Sequence, residues 1–353
     1  MEIKRDRYLN DLIDRMNNGM IKVVTGIRRC GKSYLIFNIF KDYLLGQGVS
    51  ESHIIAIELD QRKIRNMERE FEEVLNSLLH IRNVDIYVTG SNSKFLSKDV
   101  ITEFRGRGDE VHIYPLTFRE FMQVYEGDMY HGWAEWSIYG GLPLTISMKT
   151  EKQKILYLTK LFDETYLKDI TEGHRIEKTQ ALENLVNVLA SAIGSLTNVP
   201  KIEATFRSVI RSYISGNTIR QYIEYLEDAF VINKANRYDV KGRKYIGTPA
   251  KYYFEDVGIV EKRGVNEEGK TERKQLEIDF VANLGSKRYY IQSAFSMPTE
   301  EKQLQEKASL FRVNDSFKKI IIVKDVVNVT RDEIGITTMN IYDFLLKENS
   351  LEL

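Results

Sequence analysis

The chain has 353 residues, 42% of them hydrophobic and 29% charged, and its 51 Lys+Arg balance 51 Asp+Glu to a formal net charge of zero. At roughly 100–200 residues per domain this length implies about two to three domains, and the hydrophobic content excludes a disordered chain. The charge balance excludes a histone-like protein but leaves local basic patches open. The single cysteine, Cys30, excludes a disulfide framework or a Cys-based zinc cluster and fits a reducing cytoplasm. No run approaches the ~18–20 apolar residues of a membrane span, and the charged start Met1-Glu-Ile-Lys-Arg lacks the apolar core of a signal peptide. A cytoplasmic protein without a membrane partner is expected.

In chain order, residues 7–19 read as an amphipathic helix, with Tyr8, Leu9, Leu12, Ile13 and Met16 at three- and four-residue spacings. Ile21 to Thr25 reads as a buried strand, Gly26 to Gly31 as a turn, and Lys32 to Gln47 as a helix. His53–Ile57 and Asp85–Thr89 are expected to be further strands. Strand, glycine turn, helix, strand implies a parallel sheet. Beyond about residue 116 helices dominate: 118–125, from 137, 151–170, 179–193, 206–212 and 218–229. Strands at 230–238 and 251–255 then form a hairpin, and helix, turn, helix, hairpin is the order of a winged helix. The tail predicts strands at 275–281, 287–292 and 318–323 with a helix at 300–310, a small α/β unit.

Gly26-Ile27-Arg28-Arg29-Cys30-Gly31-Lys32-Ser33 matches G-x-x-x-x-G-K-[ST] between a strand and a helix. Glycines let successive backbone N–H groups curl around phosphate oxygens, and the following helix turns its positive end on the same anion. Lys32 is expected to reach the β/γ-phosphates, and Ser33 to supply a hydroxyl to nucleotide-bound Mg²⁺. The whole stretch through Tyr34 is taken as cofactor-binding. Arg28 and Arg29 either add positive field or face solvent, and Cys30 reads as a small filler.

These residues, with Arg7-Tyr-Leu before them, resemble the prokaryotic AAA-type ATPases that carry a C-terminal domain of unknown function. Ile57-Glu-Leu-Asp60, Val88-Thr-Gly-Ser-Asn-Ser93, Phe95-Leu-Ser97, Gly106-Arg107, Pro115-Leu-Thr-Phe-Arg-Glu-Phe121, Tyr139-Gly-Gly-Leu-Pro143, Lys251-Tyr-Tyr253 and Glu277-Ile-Asp-Phe-Val281 follow in the family's order. The resemblance implies an AAA+ like fold and ATP with Mg²⁺ as ligands. It places Ser91 or Asn92 at the sensor position and makes Arg107, with Arg105 behind it, a candidate arginine finger. Gly-Ser-Asn-Ser is also ordinary turn chemistry, and the arginines are also ordinary surface residues.

The family's acidic strand, Leu-Asp-Glu-x-Gln, has no counterpart. The interval from Ile57 to Asp85 is too short for helix, strand and helix, since one crossover takes about a dozen residues. Asp60 is a poor substitute. A second interval is short after Asp256-Val-Gly-Ile259, where the family continues into a Glu-Asn helix. Both point to a natural chain that is longer at these places or, as the rival reading, to a degenerate ATPase.

Arg220 and Gln221 near the start of the 218–229 helix, with Arg207, Arg211, Arg237, Lys241, Arg243 and Lys244 around it, form a candidate DNA-contacting surface, although winged helices also bind proteins. In the tail, Asp279 and the strand Tyr290-Ile-Gln292-Ser-Ala294 resemble a PD-(D/E)XK nuclease core in which Gln292 replaces the second acid and Ala294 the lysine, so a degenerate, binding-only domain is expected. The expected architecture is a P-loop ATPase domain at 1–122, a helical region at 123–200, a winged-helix-like domain at 201–256 and a restriction-endonuclease-like α/β domain at 257–353. The expected function is a Mg²⁺-dependent ATPase coupling nucleotide turnover to conformational change, possible partners being DNA, another protein or a second copy. The alternative is a non-hydrolysing, nucleotide-gated adaptor for DNA or protein. Nuclease activity is not expected.

Overall fold

The computed structural model describes residues 3–57, 68–81, 83–90, 108–236, 249–259, 278–313 and 315–353. The described residues up to 235 and those at 249–259 form one compact unit, and those from 278 onward belong to a second.

The first unit opens with helix α1, Asp6–Asp14, which buries Tyr8 and Leu12 from its apolar stripe. It ends earlier than the periodicity predicts, because Asn17 and Gly19 take positive φ. Strand β1, Ile21–Thr25, is buried at every residue. Val24 faces one apolar cluster and Ile21 and Val23 face another, as expected of a parallel strand covered on both sides. Lys22 tolerates this burial because its ammonium is paired with Asp85 and donates to the Met20 carbonyl at 3.0 Å. Helix α2 follows the loop as Lys32–Tyr34, a wider π-type stretch Leu35–Phe40, and Lys41–Gly46.

Helix α3, Glu68–Leu79, leads to strand β2, Tyr87–Thr89, and strand β3 is Gly108–His112. Both pair with β1 in parallel, giving a three-stranded sheet in the order β2-β1-β3. β3 was not expected as a strand. Its sequence Gly-Asp-Glu-Val-His is polar, and only Val111 is fully buried. The polar residues are held by tertiary partners instead: Asp109 by Arg15, and Glu110 by Thr25. The strand expected at His53–Ile57 is absent. Residues 54–57 carry no regular structure, and Ile55 and Ile57 are 83% and 68% exposed. An apolar segment of this kind becomes a strand only beside a partner, and the described sheet stops at β2.

The helical part starts with α4, Phe118–Met122, opened by a capping box of Thr117 and Glu120. It continues through α5, Met129–Tyr139, and α6, Pro143–Ile146. Helix α7 is continuous over Glu151–Leu161, Phe162–Leu167 and Lys168–Gly173, and α8 is Thr179–Ser191. Helix α9 joins Val199–Thr205 to Phe206–Ile210, starting earlier than predicted because Asn198 caps it ahead of Pro200. Helix α10, Gly216–Asp228, is capped by the Ser215 hydroxyl. Leu158, Leu161, Leu182, Leu185, Leu189, Ile219 and Leu226 belong to one core with Ile27, Cys30 and Leu35, and α7 bonds directly to the loop after β1. Strands β4, Ile232–Ala235, and β5, Lys251–Phe254, form an antiparallel pair, and a lone bridge joins Thr197 to Ala250.

The second unit is a five-stranded mixed sheet in the order β6-β7-β8-β10-β9. Its strands are β6 Phe280–Leu284, β7 Lys287–Ala294, β8 Lys318–Val323, β9 Thr330–Arg331 and β10 Ile336–Asn340. β7, β8 and β10 run parallel, β6 and β9 are antiparallel to their neighbours, and helix α11, Glu300–Lys307, is the crossover from β7 to β8. Separate apolar clusters cover the two faces of the sheet.

Candidate functional site

The site forms at the C-terminal end of β1, where the chain goes to β2 on one side and to β3 on the other. Such switch points are where open α/β sheets bind ligands. Gly26 leaves the strand at φ +134, and a Cβ there would lie 2.1 Å from the Ile113 carbonyl oxygen, so only glycine lets the loop start this close to the sheet. Cys30 is buried and its thiol donates to the same carbonyl at 3.3 Å, consistent with a filler role. Arg29 is exposed, while Arg28 is half-buried and its guanidinium is paired with Asp169 of α7. The Tyr166 hydroxyl donates to the Arg28 carbonyl at 2.8 Å, so α7 holds the loop by a side chain and by its backbone.

Lys32 is only 5% exposed. Its ammonium donates to the carbonyl oxygens of Gly26 at 2.7 Å and Ile27 at 2.8 Å, and lies 3.9 Å from the Cys30 sulfur. Among the described residues no carboxylate pairs with it, and burial pushes it below the usual lysine range. A buried cation neutralised only by carbonyl dipoles invites an anion. Ser33 and Tyr34 sit beside it on the first turn of α2, both exposed. The loop therefore fits a polyphosphate.

Two further constellations join distant segments of this unit, the first of them holding the loop. Arg5, 4% exposed, donates to Glu120 at 3.1 Å, to the Cys30 carbonyl at 2.9 Å and to the Tyr114 carbonyl at 2.8 Å. Asp256, just after β5, accepts the N–H groups of Gly141 at 2.7 Å and Gly258 at 2.9 Å. A Cβ on Gly140 would lie 1.8 Å from that carboxylate, and one on Gly141 would lie 2.1 Å from the Leu116 carbonyl oxygen, which accounts for the glycine pair before Leu142 and Pro143. Burial raises Asp256 to about 6, against the lowering effect of the two N–H bonds. Arg5, Glu120, Tyr166, Asp169 and Asp256 were not singled out from sequence. The only signals for them were the ordered motifs around Phe118, Gly140 and Gly258, which name a pattern without its contacts.

The other candidates scatter. Ser91, Asn92, Arg105, Arg107 and Asp60 lie outside the described residues, as do Arg237, Lys241, Arg243 and Lys244. Neither β2, ending Val88-Thr89, nor β3, ending Val111-His112, carries an acid at its C-terminal end beside the loop. Arg220 and Gln221 are exposed on α10, Arg220 bonded to Asn217 at 2.8 Å and Gln221 to the Tyr225 hydroxyl at 2.6 Å. In the second unit Asp279 accepts the Ser293 N–H at 2.9 Å, Gln292 bonds Glu306 at 3.2 Å, and Ala294 is buried in the core. Among the described residues no group of three or more acidic, His or Cys side chains is arranged to hold a metal, and no helix is long and apolar enough to cross a membrane.

Comparison with known proteins bears on this geometry. The model of a family described as an AAA domain matches residues 18–80 and 67–122, which cover the loop and the three strands. A domain of unknown function, DUF8612, matches residues 130–268. A protein of Haemophilus influenzae, described only as uncharacterized, is 30% identical over 404 aligned residues, 98% of this chain and 99% of the relative. The chain belongs to the same family as the Haemophilus protein. Its N-terminal part is similar to an AAA domain over residues 18–122. The alignment is longer than the 353 residues of this chain, so the relative has segments with no counterpart here. An uncharacterized protein of Methanocaldococcus jannaschii is 27% identical over 272 residues, 67% of this chain and 62% of that protein. Among solved structures, the Walker-type ATPase of Pyrococcus abyssi aligns with a TM-score of 0.41 and 13% identity, over 74% of this chain and 96% of that one. The Aeropyrum pernix ORC1 protein in complex with DNA aligns with a TM-score of 0.23 and 11% identity, over 72% and 90% of the two chains.

Proposed function

We propose that the chain binds ATP with Mg²⁺ on the loop from Gly26 to Tyr34 and uses nucleotide binding and turnover to change the contacts between that loop and the helices packed on it. The observation that carries this reading is the buried Lys32 ammonium, bonded to two loop carbonyls and to no described carboxylate. Lys32 would exchange those carbonyls for phosphate oxygens, and the N–H groups at the start of α2 would complete the cradle. The Ser33 hydroxyl would face the metal, which supplies neutralisation of phosphate charge. Arg28 bears a second cation on the loop, now held by Asp169. A nucleotide phosphate that competes for Arg28 would loosen α7. Asn92 as the residue orienting water and Arg107 as a finger toward a second copy belong to the same reading. Phosphate release from ATP with Mg²⁺ tests it, with Lys32→Ala as the control.

A second reading is favoured by one observation: among the described residues neither strand beside β1 ends in an acid. A P-loop protein without that carboxylate lacks a group to hold the metal and orient water, and would act as a nucleotide-gated adaptor. Nucleotide binding without phosphate release selects this alternative. In either reading, helices α9 and α10 with the β4–β5 pair would form a winged helix, whose exposed Arg220 and Gln221, with Arg243 and Lys244, would meet DNA phosphates or a protein partner. The second unit would be a nuclease-like fold used for binding; that Gln292 bonds Glu306 and Ala294 lies in the core supports its lack of catalysis.

A further inference from the structure

The guanidinium of Arg5 lies behind the loop, buried, with the Tyr8 ring 4.5 Å from its centre. All three of its nitrogens are engaged: Nε with Glu120 at 3.1 Å, Nη1 with the Cys30 carbonyl at 2.9 Å, and Nη2 with the Tyr114 carbonyl at 2.8 Å and Glu120 at 3.4 Å. Its partners are themselves fixed. Glu120 also accepts the Thr117 N–H at 2.9 Å as part of the α4 capping box, and the Tyr114 N–H donates to the Tyr8 hydroxyl at 3.2 Å. Arg5 thus ties the second half of the loop to the segment after β3, and the Ile113 carbonyl of that segment closes on Gly26 at the start of the loop and accepts from the Cys30 thiol in its second half.

A trans peptide is planar, with its C=O and N–H pointing in opposite directions. Fixing the Cys30 carbonyl on Arg5 therefore turns the Gly31 N–H to the side away from Arg5. That N–H is the last loop donor before Lys32. We infer that Arg5 is a positioning residue for anion binding: its fork geometry sets the Cys30–Gly31 peptide so that the Gly31 N–H faces the phosphate of a bound nucleotide. The inference rests on the proposed nucleotide site and adds to it a residue that touches no ligand. The planar fork is what matters, because a lysine keeps the charge facing Glu120 but cannot reach three fixed acceptors at once.

The test uses the full chain, titrated with ADP and with inorganic pyrophosphate, alongside thermal unfolding. Arg5→Lys retains a cation beside Glu120. The double variant Arg5→Met with Glu120→Met removes both charges, so that neither is left buried alone. Both variants are expected to bind ADP and pyrophosphate about tenfold or more weakly, by the same factor for each ligand, with the double variant unfolding within a few degrees of the natural chain. A variant that keeps its thermal stability and binds ADP as the natural chain does overturns the inference. So does a loss of affinity that only follows a loss of thermal stability in both variants, which returns Arg5 to a purely structural role. A natural chain that binds neither ADP nor pyrophosphate overturns the nucleotide site itself, an outcome distinct from the other two.

Discussion

Asp256 and Gly141, 115 positions apart in sequence, meet through a 2.7 Å hydrogen bond from backbone N–H to carboxylate. The contact docks the residues after β5 against the turn that ends α5, and the second carboxylate oxygen takes the Gly258 N–H at 2.9 Å. The two family motifs around these glycines are therefore two halves of one lock.

The lock has a pH dependence with a definite sign. Burial raises Asp256 to about 6 from 3.8, so the folded chain holds a proton here that the unfolded chain has already released. Its contribution to stability is present below about pH 4 and is lost as the pH rises through 6. Urea unfolding of the natural chain and of Asp256→Asn at several pH values should show their difference shifting against the natural chain across this window, by on the order of 3 kcal/mol, and flat above it. A difference independent of pH would show that the two N–H bonds offset burial, and a difference shifting in favour of the natural chain would show that they outweigh it.

Lys32→Met separates stability from binding. The natural side chain is a desolvated cation, so its replacement by an apolar chain of similar length should leave the unfolding midpoint unchanged or higher. Affinity for ATP should fall about a hundredfold or more, since the charge facing the phosphates is gone. Calorimetric titration and thermal unfolding of the same preparation check both halves.

Gly26→Ala should cost stability without altering any charge. The added Cβ meets the Ile113 carbonyl oxygen at 2.1 Å, and φ +134 is itself strained for alanine. A loss of roughly 2–4 kcal/mol is expected in denaturant unfolding. A loss below about 1 kcal/mol would mean that the loop relaxes away from the sheet at little cost.

Asp169→Asn frees Arg28 from its partner on α7. Both side chains are about one-quarter exposed, so the fold should change by under about 1 kcal/mol. Nucleotide affinity should rise several-fold and more so at low salt, because the phosphate no longer competes with a carboxylate. Unchanged affinity would place Arg28 outside the phosphate field.

On α10, Arg220→Glu should weaken DNA binding and flatten its dependence on salt. Unchanged binding assigns this face to protein contacts.

The loop and its strand and helix were legible in the sequence because a glycine pattern and two apolar periods coincide over Ile21–Gly46. Strand β8 was legible for a similar reason, its Ile320-Ile-Ile-Val323 run being buried throughout. Strand β3 was not, because its polar residues are stabilised by Arg15, Thr25 and Glu255, and periodicity does not report partners. The supports of the site were hidden for the same reason. Arg5 lies 115 positions from Glu120, and Arg28 lies 141 from Asp169. His53–Ile57 erred the other way: its residues have the composition of a strand, but the described sheet gives it no neighbour.

The single thiol has a kinetic consequence. Cys30 is buried, burial raises its pKa, and its hydrogen bond to Ile113 belongs to the closed loop. Alkylation at neutral pH must then wait for the loop to open, so its rate counts opening events. With no other cysteine in the chain, any label incorporated reports on this loop alone, and a ligand that holds the loop shut should lower the reaction rate in proportion to its occupancy.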